Sequence, residues 1–326
     1  MTSKKYLKRL LLLSVVCVLT IVAINVYLDE YGLFSTSLGK RCYVYMDSQE
    51  RLDKYLFTYN YIPTNFEGVL IGPSLSDNID TKQINNIKLY NLSINGGIAT
   101  ELRCLVDNLM RNNQDIHYLV ICLDPYITQE SGKKSNYMTN RDYYMALASI
   151  DLYKRYALKT LVTIGSQERL WNEYGYYDFC ADKPIVDVEK LIKQGLTYEP
   201  EEIIVDVEAL HHLQEIINTA HQNKLKVFAY YYPRPHELYL HNKEQYIAYQ
   251  LTINKLFTDE DILWDFNDEE YMWFSSDCTN YVDGSHLSRK GAALLCRLIE
   301  EKLTMVEVKC NCLELNFQPK KYNAPR

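Results

Sequence analysis

The sequence predicts an α/β fold, a three-layer sandwich around a five-stranded parallel sheet, preceded by one transmembrane helix. Three observations carry that prediction. Short apolar runs ended by Gly, Pro or Asp alternate with longer helical periodicities, the pattern of a parallel sheet covered on both faces. Near the N-terminus, Leu10 to Leu28 holds nineteen residues without a charge. The composition is that of a globular chain, 326 residues with 47% hydrophobic and 24% charged, which removes disordered, collagen-like and coiled-coil readings.

Taken in order, the apolar N-terminal run comes first. At ~1.5 Å per residue it nearly spans a ~30 Å hydrocarbon core. Lys4, Lys5, Lys8 and Arg9 precede it, and Asp29 and Glu30 follow. The positive-inside rule then places residues 1–9 in the cytoplasm, 10–28 in the membrane as a signal-anchor and the rest outside. A cleaved signal peptide is the rival reading. Its apolar region is shorter, ~7–15 residues, and no A-x-A cleavage site follows here. Residues 29–65 read as a stem, 66–306 as the folded domain and 307–326 as a tail.

Strands are expected at Gly68–Ile71, Ile87–Leu92, His117–Leu123, Val227–Tyr232 and Ile262–Phe266. Helices are expected at Thr100–Asn112, Ile203–Asn223, Asn242–Leu256 and Arg289–Leu303, the second carrying Leu210, Leu213, Ile217 and Ala220 on one face. Between the third and fourth strands lies an insertion at about 126–197, far longer than the usual ~2–6 residue connection. It carries Tyr143, Tyr144, Tyr174, Tyr176, Tyr177 and Trp171. It reads either as a partly helical cap over the strand ends or as an excursion with a small aromatic core of its own. Tyr230, Tyr231 and Tyr232 read as strand packing.

A net charge of −7 and the lack of a basic stripe exclude nucleic acid as a partner. Cys17 lies in the span, while Cys104, Cys122 and Cys296 fall in apolar patterns where thiols behave as small hydrophobes. Disulfides remain open among Cys42, Cys180, Cys278, Cys310 and Cys312. No C-x-x-C pair occurs, and the adjacent His211 and His212 do not share a helix face, so neither a metal nor a cofactor is expected.

Ser74, Asp283 and His286 carry the candidate chemistry. Gly68-Val-Leu-Ile-Gly-Pro-Ser74 runs from strand through tight turn to an exposed serine. A hydroxyl attacks well only when a base removes its proton and a third group orients that base. Near the other end, Asp283-Gly-Ser-His286 lets the aspartate fold back to Nδ1, leaving Nε2 to face Ser74. Ser288 is a candidate N-cap for the last helix. Asp124 reads either as a cleft residue or as a cap of the insertion. Arg234 and His236, after the fourth strand, read as cleft residues or as parts of a Pro-rich loop.

These residues resemble the SGNH (GDSL-like) hydrolase superfamily. Gly72-Pro73-Ser74 matches its nucleophile block, Asn95-Gly96-Gly97 its glycine block and Asp283-x-x-His286 its terminal block, together framing about residues 66–303. The resemblance implies a flavodoxin-like sheet, Ser74 as nucleophile, His286 as proton shuttle and Asp283 as its partner. It implies an oxyanion hole from the backbone N–H groups of Ser74 and Gly97, with Gly96 beside them. The Gly-x-Asn block is replaced by Cys122-Leu-Asp124-Pro125, which removes the family's asparagine donor.

The single span and Leu28-Asp29-Glu30-Tyr31-Gly32 look like membrane-anchored members of the D-alanyl-lipoteichoic-acid biosynthesis and polysaccharide O-acetylation types. The leading reading is thus an acyltransferase or acyl-esterase acting outside the membrane on a glycan or teichoic-type polymer. A membrane-embedded acyltransferase would be its partner. The alternatives are a non-catalytic polymer-binding or assembly module, and a lipid esterase.

Overall fold

A computed structural model describes residues 3–35, 43–44, 49–112, 115–129, 138–163, 170–182, 184, 186–200 and 202–316. The elements run α1 (Ser3–Leu28), β1 (Tyr43–Val44), α2 (Glu50–Phe57), α3 (Tyr61–Asn65), β2 (Gly68–Ile71), α4 (Ser74–Asp77), β3 (Leu89–Asn91), α5 (Ala99–Asn112) and β4 (Tyr118–Leu123). They continue through α6 (Asn140–Leu147), α7 (Asp151–Thr163), β5 (Leu170–Trp171), α8 (Val188–Gly195), α9 (Val207–Gln222) and β6 (Lys226–Tyr231). The chain closes with α10 (His236–His241), α11 (Lys243–Ile253), β7 (Ile262–Asp265), α12 (Met272–Ser275) and α13 (Arg289–Asn316).

The main sheet has the order β3-β2-β4-β6-β7, and every pairing in it is parallel. It is the five-stranded parallel sheet expected, with β1 and β5 forming a separate antiparallel pair. Both faces are buried, so successive residues serve opposite cores. Val69 and Ile71, Leu119 and Ile121, and Val227 and Ala229 face the layer of α2, α5 and α9. Leu70, Val120, Cys122, Phe228 and Tyr230 face α13 with Leu295, Ile299 and Leu303. A fully buried aliphatic or Phe side chain contributes about 1.5–3 kcal/mol, so this double core accounts for much of the stability. Tyr230, Tyr231 and Tyr232 are buried strand residues.

Departures from the expected elements have local causes. The helix expected at Asn242–Leu256 is α11 with a final 3-10 turn at Asn254–Leu256, and a short helix not expected, α10, precedes it and ends at Asn242. The expected stem does not stand apart from the domain. Tyr55, Leu56, Phe57, Tyr61 and Ile62 join the same core as the sheet, as do Tyr31 and Leu33. One segment of the insertion reaches the open sheet edge. Tyr174 O accepts the Asn91 N–H of edge strand β3 at 2.8 Å, occupying a group that would otherwise invite another strand.

Helix α1 has 26 residues and is long and apolar enough to cross a membrane. Its end is fastened to the domain. Asn25 Nδ2 donates to Leu147 O at 2.9 Å and Ser149 O at 3.0 Å, and Tyr156 Oη donates to Asn25 Oδ1 at 3.0 Å. Asp29 accepts the N–H groups of Leu33, Phe34 and Ser35, turning the chain as it leaves the helix. Of the cysteines weighed for disulfides, Cys180 and Cys278 carry free thiols. Cys42 and the side chains of Cys310 and Cys312 lie outside the described residues.

Candidate active site

At the carboxyl end of β2 the chain must turn without a side chain. A Cβ on Gly72 would lie 2.3 Å from Ser76 Oγ and 2.7 Å from Cys122 Cβ, so only glycine fits. Pro73 then precedes α4, whose first residue is Ser74. Ser76 Oγ donates to Ser93 Oγ at 2.8 Å, tying α4 to the end of β3.

The loop before α13 approaches from the other side. Asp283 Oδ1 accepts the backbone N–H groups of Ser285 at 2.8 Å and His286 at 2.7 Å, which curls Asp283–His286 into a tight turn. The same carboxylate lies 3.0 Å from His286 Nδ1 through Oδ2. Nε2 is left to face outward, and it stands 3.1 Å from Ser74 Oγ. Sequence spacing therefore anticipates a real meeting across 212 residues of chain. Ser288 accepts the Gly291 N–H at 3.2 Å, the expected cap of α13, and Asn78 Nδ2 donates to Leu287 O at 2.8 Å, binding the histidine loop to the serine loop.

The electrostatics suit proton transfer. Burial raises the Asp283 carboxyl, but hydrogen bonds from the His286 ring, the His286 N–H and the Ser285 N–H outweigh it and hold the group well below the usual carboxylate range. An ionised Asp283 selects the tautomer with the proton on Nδ1, so Nε2 can accept the serine proton. Side chains of His286 and Asp283 are 19% and 28% exposed, open enough for a substrate to arrive.

Three features here have no clear mark in the sequence. Phe179 of the insertion stacks on the His286 ring, centroids 4.5 Å apart. Asp178 beside it grips Arg289, the first residue of α13, through two oxygens. Beneath Ser74, the fully buried Lys54 bonds Asp77 Oδ1 at 2.6 Å and the Ser93 carbonyl, and lies 3.6 Å from Glu50 Oε1. Only the aromatic density of the insertion hints at the first.

Of the expected oxyanion donors, Gly97 is already engaged. Its N–H closes a turn onto Ile94 O at 2.9 Å, with Gly96 third in that turn at φ +63°. Arg51 Nη2 donates to Asn95 O at 3.2 Å and Gly96 O at 3.3 Å, while Arg51 Nε meets Glu101 at 2.7 Å. In a trans peptide the Gly96 N–H points opposite to Asn95 O, hence away from Arg51.

Asp124 is both a cap and a wall. Oδ1 accepts the Tyr126 N–H at 3.0 Å, and Oδ2 is paired with the Arg234 guanidinium, which cancels the charge that would repel an oxyanion. The two border a small cavity of about 160 Å³ with Tyr126 and Tyr246. His236 begins α10 and makes no hydrogen bond or ion pair with the described residues.

No protein-family model matches the chain, and no curated protein does. Among solved structures, one from Streptococcus pneumonia, provisionally described as a platelet activating factor, superimposes with a TM-score of 0.44. It shares 10% identity, and the match covers 79% of this chain and 92% of that one. A likeness that loose bears no weight for function.

Proposed function

We propose that this protein is a membrane-anchored serine acyl-transfer enzyme of SGNH type, its domain outside the membrane, acting on a glycan or teichoic-type polymer. The supporting observation is the Ser74–His286–Asp283 relay, with contacts of 3.1 Å and 3.0 Å.

In the first half-reaction His286 Nε2 takes the Ser74 proton as Oγ attacks an acyl carbonyl. The imidazolium that forms is balanced by Asp283. The developing oxyanion meets the backbone N–H of Ser74 and, in place of Gly97, the Gly96 N–H. One such donor is worth roughly 2.7–4 kcal/mol in the transition state. His286 then passes its proton to the leaving group, and a second hydroxyl, from water or a sugar, attacks the Ser74 ester with the same base.

The test is to incubate the full chain with an O-acetylated glycan and with a small acetyl ester, and to follow acetate release, acyl transfer and the +42 Da adduct by intact mass. Wild type releases or transfers the group and carries the adduct at Ser74, and Ser74→Ala does neither. Turnover unchanged in Ser74→Ala would contradict the proposal. A second reading, a polymer-binding module without chemistry, draws on the Asp124–Arg234 pair where the family carries an asparagine donor. It predicts polymer binding that survives Ser74→Ala and no adduct.

A further inference from the structure

A second cleft lies beside the end of α1. Helix α6 brings Asn140, Tyr143 and Tyr144 to it, the turn after α2 brings Tyr59 and Asn60, and the last turn of α5 brings Arg111. They border an open volume of about 580 Å³. Leu33, just past α1, completes the wall. From Ala99, beside the glycine turn, to Arg111 the helix rises about 18 Å, so this cleft is remote from Ser74.

Its chemistry is mixed in a particular way. Tyr59 and Tyr143 have ring centroids 4.7 Å apart, and Tyr143 and Tyr144 meet edge to face at 5.3 Å. Such rings suit the C–H faces of a polyol, and their hydroxyls suit a wet boundary. Asn140 accepts the Tyr59 hydroxyl at 3.1 Å and keeps its amide donors. Arg111 forms no ion pair among the described residues. The carboxyl end of α5 favours a cation there, and the guanidinium fork remains for a bidentate oxyanion.

Position narrows the ligand. Asn25 of α1 is bonded to Leu147 O, at the end of α6, and to Ser149 O. Around that exit Tyr27, Phe34, Tyr144, Met145 and Ile150 are all exposed, Tyr27 by 87% and Ile150 by 69%. On a water-facing surface such a cluster is costly. Around the mouth of a spanning helix it is an interfacial belt continuous with the apolar helix itself.

We infer that this corner of the domain rests on the bilayer and that the cleft binds an anionic, phosphate-bearing lipid head group. Arg111 meets the phosphodiester and the tyrosine pair lies against the polyol beyond it. The inference goes beyond the acyl-transfer reading, and its test reads binding without turnover, so the two can fail separately.

The experiment is native mass spectrometry of the full chain released from micelles, titrated with phosphatidylglycerol or with phosphatidylcholine of the same chains. Wild type retains phosphatidylglycerol at least ~10-fold more strongly, because the choline cation of phosphatidylcholine offsets the pull of its phosphodiester on Arg111. Arg111→Gln abolishes the preference, Arg111→Lys keeps part of it, and Tyr143→Leu weakens phosphatidylglycerol retention while the melting temperature confirms folding. Equal retention of the two lipids by wild type overturns the inference whether or not the variants fold, as does a preference untouched by Arg111→Gln. Displacement by free glycerol 1-phosphate as effective as by the lipid also overturns it, since the site would then serve a soluble phosphate.

Discussion

Two clusters of ionisable side chains meet α4, one at its first residue and one at its last. At Ser74 the partners are His286 and Asp283, both open to the cleft. At Asp77 they are Lys54 and Glu50, both buried. In the open cluster burial raises the Asp283 carboxyl, and three hydrogen bonds more than reverse that. In the closed one burial wins. With Asp77 adding to it and Lys54 opposing, the Glu50 carboxyl is pushed up to about 8. One ammonium facing two buried carboxylates leaves one negative charge in excess, and a proton on Glu50 removes it. Access to donors and solvent, rather than the residue type, decides which carboxylate stays charged beside the serine.

The comparison can be broken most forcefully at the open cluster. Ser74→Ala and His286→Ala each lower turnover of a small acetyl ester by ~1,000-fold or more, with the melting temperature little changed. A comparable loss of stability would mean that these residues serve the fold. At the closed cluster the effects exchange places. Lys54→Met leaves buried carboxylates unpaired and costs roughly 3–5 kcal/mol in urea unfolding, and the triple replacement with Asp77→Leu and Glu50→Gln regains most of it. A triple variant no more stable than the single one would show that Lys54 does not act through its charge.

Phe179→Ala frees the His286 ring, and kcat falls about 10-fold with KM little altered, the range of a misplaced catalytic group. The pH dependence of stability tests the sign at the closed cluster. Folded Glu50 holds its proton up to about 8, while an unfolded glutamate releases it near 4.5. The unfolded chain then binds fewer protons, so stability declines as pH rises between those values. Glu50→Gln flattens that slope in denaturation curves taken at pH 5, 6.5 and 8.

The sheet was legible because each strand is a short apolar run with its own stop signal, and the bounds of β2 match the expectation residue for residue. Ser74, Asp283 and His286 were legible from spacing, since backbone turns at both places fix where those side chains go. Glu50, Asp53 and Lys54 were not. Charges at such spacing look like the wet face of a helix, and only the arrival of Asp77, Arg155 and Trp171 from distant segments buries them. The engagement of the Gly97 N–H with Ile94 O was hidden for a subtler reason. Asn95-Gly96-Gly97 announces a turn, but which N–H closes it depends on the register with Ile94, and that is set in space. Asp124 could be read two ways because its partner Arg234 lies 110 residues away.

The most direct measurement is intact-mass analysis of the full chain after a serine-directed fluorophosphonate, in wild type, Ser74→Ala and His286→Ala. A single adduct on Ser74 in wild type, absent from Ser74→Ala and slowed at least ~1,000-fold in His286→Ala, is the predicted result. An unlabelled wild type, or labelling that persists in Ser74→Ala, would contradict the account.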